Sequence, residues 1–321
     1  MKSALHIYRT LPPPGARAPC ALTIGNFDGV HRGHQALLAH VCRAARERSL
    51  VPTVMTFEPH PREYFALQAR RPELAPTRIS GLRDKLAALA HHGIRRVLVE
   101  RFDRRMAELS AAEFIEALLV AGLQTRWLLV GEDFRFGHKR AGDLALLREA
   151  GRRHGFEVVT LPDVRDAHGH RISSAEVRTA LAVGDLPRAA HLLGHPYAIS
   201  GHVIHGRQLG RTLGYPTLNL RVAPRCAARS GIYVVSVHGL AATPLPAVAS
   251  LGVRPTVEDS GRVLLEAHVL DATVDAYGKL VRVEFLHKLR DEEKFPDLPT
   301  LTAAIARDER NARAYFAVHG L

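Results

Sequence analysis

Short apolar runs alternate with stretches of helical period through the first half of the chain. Residues 20–24 (CALTI) read as a buried strand, after which Leu37, Leu38, Val41, Cys42 and Ala45 recur at helical spacing. Further strands are predicted at 51–57, 96–99, 127–130 and 156–161. Between them lie helices at 82–91, 111–120 and 143–154, and a last helix opens at Ser173 or Ser174. This alternation predicts an α/β domain with a doubly wound parallel sheet, whose ligands sit beyond the carboxyl ends of the strands. After the turn signal at 184–187 (GDLP) the rhythm changes. Apolar runs at 199–204, 233–237, 247–251, 263–270 and 280–285 are short and punctuated by Gly and Pro, which predicts an antiparallel β-barrel. A terminal helix repeats Leu298, Leu301, Ile305, Ala312 and Phe316 on one face and stops at Gly320. Two domains are expected, 1–187 and 188–321.

Composition narrows the class. A chain of 321 residues with 46% hydrophobic and 24% charged positions is globular, not disordered. No apolar run reaches the ~18 residues of a membrane span, and no apolar core follows Lys2 before Pro12 as a secretory signal requires. Cys20, Cys42 and Cys226 make neither a CxxC pair nor an even set, so reduced thiols and a cytoplasmic setting are expected. The net charge of +12 divides as +8 over 1–187 and +4 over 188–321. An excess that diffuse favours solubility or small polyanionic partners over a dedicated nucleic-acid arm.

Candidate chemistry follows the first strand, in the segment GNFDGVHRGH at 25–34. His31 and His34 are three residues apart near a helix start, with His34 expected to open the helix. Free amides and the dipole at such an end favour an anion, and Gly33 allows close approach of a phosphate. No Lys-Ser/Thr follows, so this is not a Walker loop. In the segment ISSAEVR at 172–178, Ser173 and Glu176 fit a capping box, leaving the Ser174 hydroxyl outside the cap. Arg178 sits early in that helix, either a surface cation or a partner to an anion held there. The segment VGEDFRFG at 130–137 lies at the ligand edge of the sheet, where Phe134 and Phe136 line a ring slot or plug the core.

The second half offers Gly206, Gly210 and Gly214 at intervals of four, then Pro216, Thr217 and Asn219. A mobile phosphate-covering loop and a glycine-rich hairpin both fit that spacing. Alternation puts the Thr217 and Asn219 oxygens on one side of an extended segment, where they suit a Mg²⁺ shell that ATP and water mostly supply. Glu266 shares a strand face with His268, either facing solvent or serving as a base in phosphoryl transfer.

The motifs at 25–34, 56–61 (TFEPHP), 130–137 and 172–178, in that order, resemble the adenylyltransferase half of the bacterial bifunctional riboflavin kinase/FAD synthetase family. The second half resembles its riboflavin kinase module through residues 252–256 (GVRPT), Tyr277-Gly278, 289–295 (LRDEEKF) and the Asp308…Ala312-Arg313 pattern. The resemblance runs from about residue 16 to 319. It implies a Rossmann-like nucleotidyltransferase domain followed by a six-stranded barrel with a terminal helix. It implies ATP-dependent conversion of riboflavin to FMN and of FMN to FAD, with Mg²⁺ accompanying ATP. His31, His34, Ser174 and Arg178 would stabilise adenylyl transfer, with Gly25, Asn26, Phe27, Asp28, Gly33 and Asp133 around the bound nucleotide and flavin. Thr217 and Asn219 would hold Mg²⁺, and Glu266 would be the kinase base. Gly206, Gly210, Arg211 and Gly214 would cover ATP, and Arg290 would touch the flavin. The chain departs from the family pattern at Ser250, where Asn is common, at Ala272, where an aromatic is common, and in a longer connection at 70–76. Neither nucleic acid nor membrane is an expected partner.

Overall fold

The computed structural model describes residues 4–206, 214–223, 225–253, 263–272 and 274–320. By their contacts these form two compact units: Met1–Pro76 with Lys85–Ile172, and Thr77–Asp84 with Ser173–Leu321.

The first unit is built on six parallel strands: β1 (His6–Tyr8), β2 (Cys20–Ile24), β3 (Val51–Glu58), β4 (Arg96–Arg101), β5 (Thr125–Gly131) and β6 (Glu157–Leu161). Their order, β1-β4-β3-β2-β5-β6, reverses direction at β2, as a doubly wound sheet requires. Every residue of β2 is buried, which is why its sequence reads as a continuous apolar run rather than an alternation. Helices α1 (Arg32–Glu47), α2 (Pro61–Gln68), α3 (Leu82–His91), α4 (Arg104–Glu108), α5 (Ala111–Glu113) and α6 (Leu144–His154) connect the strands. α1 buries Leu38, Val41, Ala44 and Ala45, close to the expected stripe. Two expectations need correction. The stretch predicted as a helix at 111–120 is α-helical only to Glu113 and continues as a wider π-helix over Phe114–Gly122. Its apolar side chains enter the same core as Leu128 and Phe136, so packing rather than local propensity sets its pitch. The three-residue β1 was not anticipated, because a run that short carries no readable period.

The second unit holds α7 (Ser174–Val183), α8 (Leu186–Leu193) and a closed antiparallel barrel, with the segment Thr77–Asp84 packed into it. The barrel strands are β7 (Ala198–Ile204), β8 (Leu218–Arg221), β9 (Gly231–His238), β10 (Leu245–Val253), β11 (Val263–Val269) and β12 (Leu280–Arg290). They close in the order β10-β11-β8-β7-β12-β9. β8, only four residues long, was not among the predicted strands. The terminal helix α9 (Leu298–His319) buries Ala304, Asp308, Ala312 and Phe316, whereas Leu298 is exposed. Ala312 and Phe316 are buried as expected and Leu301 and Ile305 are half-buried, while Ala304 and Asp308 join the buried face. Asp308 sits on the buried side because the Arg290 guanidinium takes its carboxylate there, with Nη2 2.7 Å from Oδ2 and Nε 3.0 Å from Oδ1.

Candidate active sites

The first site forms where β2 gives way to α1. Phe27, Gly29 and Val30 all have positive φ, and the tight turn folds the Phe27 ring and Asp28 inward. The helix starts at Arg32, two residues before the expected His34, because His31 is the N-cap: the His34 amide donates to His31 Nδ1 (3.4 Å). An accepting Nδ1 places the neutral ring's proton on Nε2. His31 is 5% exposed, and its ring stacks on His34 with centroids 3.8 Å apart. Phe27 packs against the other side of His34, at 4.9 Å. Its ring is thus a buried support for the histidines, with no face open to a ligand. Thr56, from the TFEPHP motif, donates through Oγ1 to the Asn26 carbonyl (3.2 Å), tying β3 to the turn. Asn26 Oδ1 is buried and has no hydrogen-bond partner among the described residues.

Gly33 marks the close approach. A Cβ there would stand 3.0 Å from the Ile172 carbonyl and 3.1 Å from His31 Nδ1. Ile172 is itself pinned, its amide donating to the Val164 carbonyl (2.8 Å). The chain leading directly into Ser173 therefore lies against the histidine turn. Ser173 caps α7, its Oγ accepting from the Glu176 amide (3.3 Å). Ser174 is the first helical residue, and Arg178 Nε donates to the Thr77 carbonyl (2.7 Å) within the second unit. Asp133 is exposed past the carboxyl end of β5 and lies 3.9 Å from Arg171. The two readings of Phe134 and Phe136 are now separated: Phe136 is buried against Phe114, and Phe134 stacks on Phe136. They plug the core.

The second site lies on the barrel. Glu266 of β11 pairs in register with Asn219 of β8 on one side and Ser250 of β10 on the other. Alternation holds along β11: Leu265, Ala267 and Val269 are buried, and Glu266 and His268 face the other way, half-buried. Asn219 Nδ2 donates to the Thr217 carbonyl (3.1 Å) and approaches Thr217 Oγ1 (3.4 Å). Its Oδ1 is buried with no hydrogen-bond partner among the described residues. Gly206 lies on that amide so closely that a Cβ would stand 2.6 Å from Asn219 Oδ1. Gly214 is described and exposed; Gly210 and Arg211 lie outside the described residues.

Sequence reasoning missed two supports. His268 bonds through Nδ1 to the Pro216 carbonyl (2.8 Å) and packs on Tyr215, fixing the approach to Thr217. Glu292 stands beside the site, accepting from Ser250 Oγ (3.4 Å); burial pushes its carboxyl up, the Ser250 bond opposes this, and the Glu266 charge adds to it. Its place in the DEEKF motif was the available signal. Arg290 donates to Asp308 and to the Asp291 carbonyl, and its guanidinium lies 5.5 Å over the Phe295 ring.

An orphaned amide oxygen beside a threonine hydroxyl fits a hard cation that draws most of its oxygens from elsewhere. Among the described residues no group of three or more His, Cys, Asp or Glu could hold a metal.

Two family models match the chain in tandem. The FAD synthetase family model matches residues 14–176, and the riboflavin kinase model matches residues 193–316. The bifunctional riboflavin kinase/FMN adenylyltransferase of Escherichia coli K12 is 48% identical over 299 residues, 93% of each chain. That of Pseudomonas fluorescens is 45% identical over 298 residues, also 93% of each chain. A crystal structure titled as a macrolide-efflux protein from Streptococcus pneumoniae shares the fold (TM-score 0.76, 31% identity, covering 96% of this chain and 98% of that one). Among the described residues no helix is long and apolar enough to cross a membrane. With both family models matched in tandem and close relatives spanning nearly its full length, the chain belongs to the bifunctional riboflavin kinase/FMN adenylyltransferase family and is a transferase.

Proposed function

We propose that two modules, meeting near residue 187 in the gap between the two family matches, carry out successive ATP-dependent transfers. In the barrel module the riboflavin 5′-hydroxyl attacks the γ-phosphorus of ATP, Glu266 takes the hydroxyl proton, and the bond to the β-phosphate oxygen breaks to release ADP and FMN. Thr217 and Asn219 would hold Mg²⁺, which when bound neutralises charge on the phosphates. The segment from Gly206 to Gly214, with Gly210 and Arg211, would cover ATP. Arg290, held by Asp308 of α9, would touch the flavin.

In the α/β module the FMN phosphate is its own nucleophile. It attacks the α-phosphorus of a second ATP, and the bond to the β-phosphate breaks to give FAD and pyrophosphate. The protein's task is positioning and charge stabilisation. His31, His34 and the positive end of α1 would face the leaving pyrophosphate, with Ser174 and Arg178 arriving directly after Ile172 to hold phosphate oxygens. Gly25, Asn26, Asp28 and Gly33 would shape that pocket, Phe27 would brace it, and Asp133 would border it. None of the three cysteines is in a disulfide, as expected of a cytoplasmic enzyme.

The observation that carries this reading is Asn219: a buried amide oxygen with no hydrogen-bond partner among the described residues, on the strand paired with that of Glu266. The test is incubation with riboflavin, ATP and Mg²⁺, with flavins separated by chromatography over time. His31→Ala/His34→Ala should stop at FMN. Glu266→Gln should make no FMN yet convert added FMN to FAD. Loss of both products in either folded variant would refute separate sites.

A further inference from the structure

The end of the first sheet that the chemistry does not use contains a cavity of about 770 Å³. It opens among the first residues of β1, β3 and β4 and the last turns of α1. β3 begins at this cavity with Val51 and reaches the histidine turn with Thr56, so the two places are about 17 Å apart at ~3.3 Å per residue. Tyr8, Leu50 and Val51 give the cavity an aromatic and apolar wall. Arg46 near the end of α1 and the adjacent Arg95 and Arg96 at the start of β4 give it a cationic one, and among the described residues no Asp or Glu lines it.

Arg96 is the informative member. It is 4% exposed, and its Nη2 donates to the Ala18 carbonyl (3.0 Å). Its Nη1 is buried with no hydrogen-bond partner, and no carboxylate pairs with it among the described residues. Cys20, which feels the Arg96 charge, offers no counter-ion either, since burial pushes its thiol up to about 11. A buried guanidinium without a counter-charge is costly, and an anion in the cavity would offset the charge at short range. Arg46 and Arg95 are exposed at the same cavity. The volume falls within the ~300–1,000 Å³ of small-molecule sites.

We propose that this cavity is a second ligand site that takes an organic phosphate, the dianion facing the three arginines and a flat apolar ring lying against Tyr8 and the β3 wall. The site is independent of the transfers proposed above, because its lining shares no residue with either reaction.

Titration calorimetry of the full chain with phenyl phosphate, a ring-bearing dianion, tests it. Binding is expected, at least about tenfold tighter than for phenol or for inorganic phosphate alone. The Arg46→Ser/Arg95→Ser variant alters only exposed side chains and should weaken binding about tenfold or more. Cys42, half-buried in the cavity lining, supplies a second readout: phenyl phosphate should slow its alkylation, mapped by mass spectrometry, in the parent and not in the variant. Absence of binding at about 10 mM, affinity unchanged in the variant, or unprotected Cys42 would each overturn the site. Inorganic phosphate binding as tightly as phenyl phosphate would overturn the ring-bearing ligand.

Discussion

Replacing Gly33 with alanine separates chemistry from stability at the first site. Gly33 is the second residue of α1 and has an ordinary helical backbone, so alanine there gains about 0.8–1 kcal/mol of helix propensity. The new methyl, however, stands 3.0 Å from the Ile172 carbonyl and 3.1 Å from two atoms of the His31 ring. The carbonyl belongs to a backbone pinned by Val164, so the imidazole must move. Moving it disturbs the Nδ1 cap on the His34 amide and the 3.8 Å stack, which together orient both histidines. Loss of one preorganised donor to a developing anion costs about 2.7–4 kcal/mol, or roughly 10²–10³ in rate. FMN-to-FAD conversion should therefore fall by about that factor while riboflavin-to-FMN conversion stays at the parental rate. The melting temperature should stay close to the parent's. The assay is flavin chromatography with FMN and with riboflavin as separate starting substrates, alongside thermal unfolding. A variant that makes FAD within about threefold of the parental rate would refute a role for the Gly33 contact in holding the histidines.

Other expectations follow from the barrel and the buried thiols. Arg290→Met leaves Asp308, 3% exposed, without its partner and should destabilise the chain by about 3–5 kcal/mol in urea unfolding, whereas Arg290→Met/Asp308→Leu should recover most of the loss; equal destabilisation of both variants would rule out an uncompensated charge as the cause. Burial holds the Glu292 carboxyl above its usual 4.5, so between that value and its folded one the folded chain keeps a proton that the unfolded chain has lost. Its contribution to stability thus falls as pH rises through that window, and Glu292→Gln should show a smaller fall in melting temperature between about pH 4 and 7; parallel curves would count against it. With its thiol at about 11, Cys20 is about one part in a thousand thiolate at pH 8 and should resist iodoacetamide in the native chain yet react in urea. Modification of native Cys20 as fast as Cys42 would contradict that burial.

Much of the architecture is written in local pattern. The apolar run of β2, the stripe of α1 and the change of rhythm after residue 187 each follow from side-chain period, which neighbours in the chain determine. The histidine pair and the Ser173 cap were equally legible, because a cap and a contact three residues apart are local geometry. What the sequence left open depended on residues distant in the chain. Phe134 and Phe136 fit a slot or a plug until Phe114 closed over them. That Glu266 and Asn219 are neighbours depended on the pairing of β11 with β8, and β8 is too short to announce itself. The burial of Asp308 on α9 was not legible either, because its partner Arg290 lies eighteen residues away and only the packed chain brings the two together. The buried, unpaired charge of Arg96 gave no sign in the sequence: burial and counter-ions are properties of the packed chain, and only tertiary structure decides which charges it leaves to be neutralised from outside.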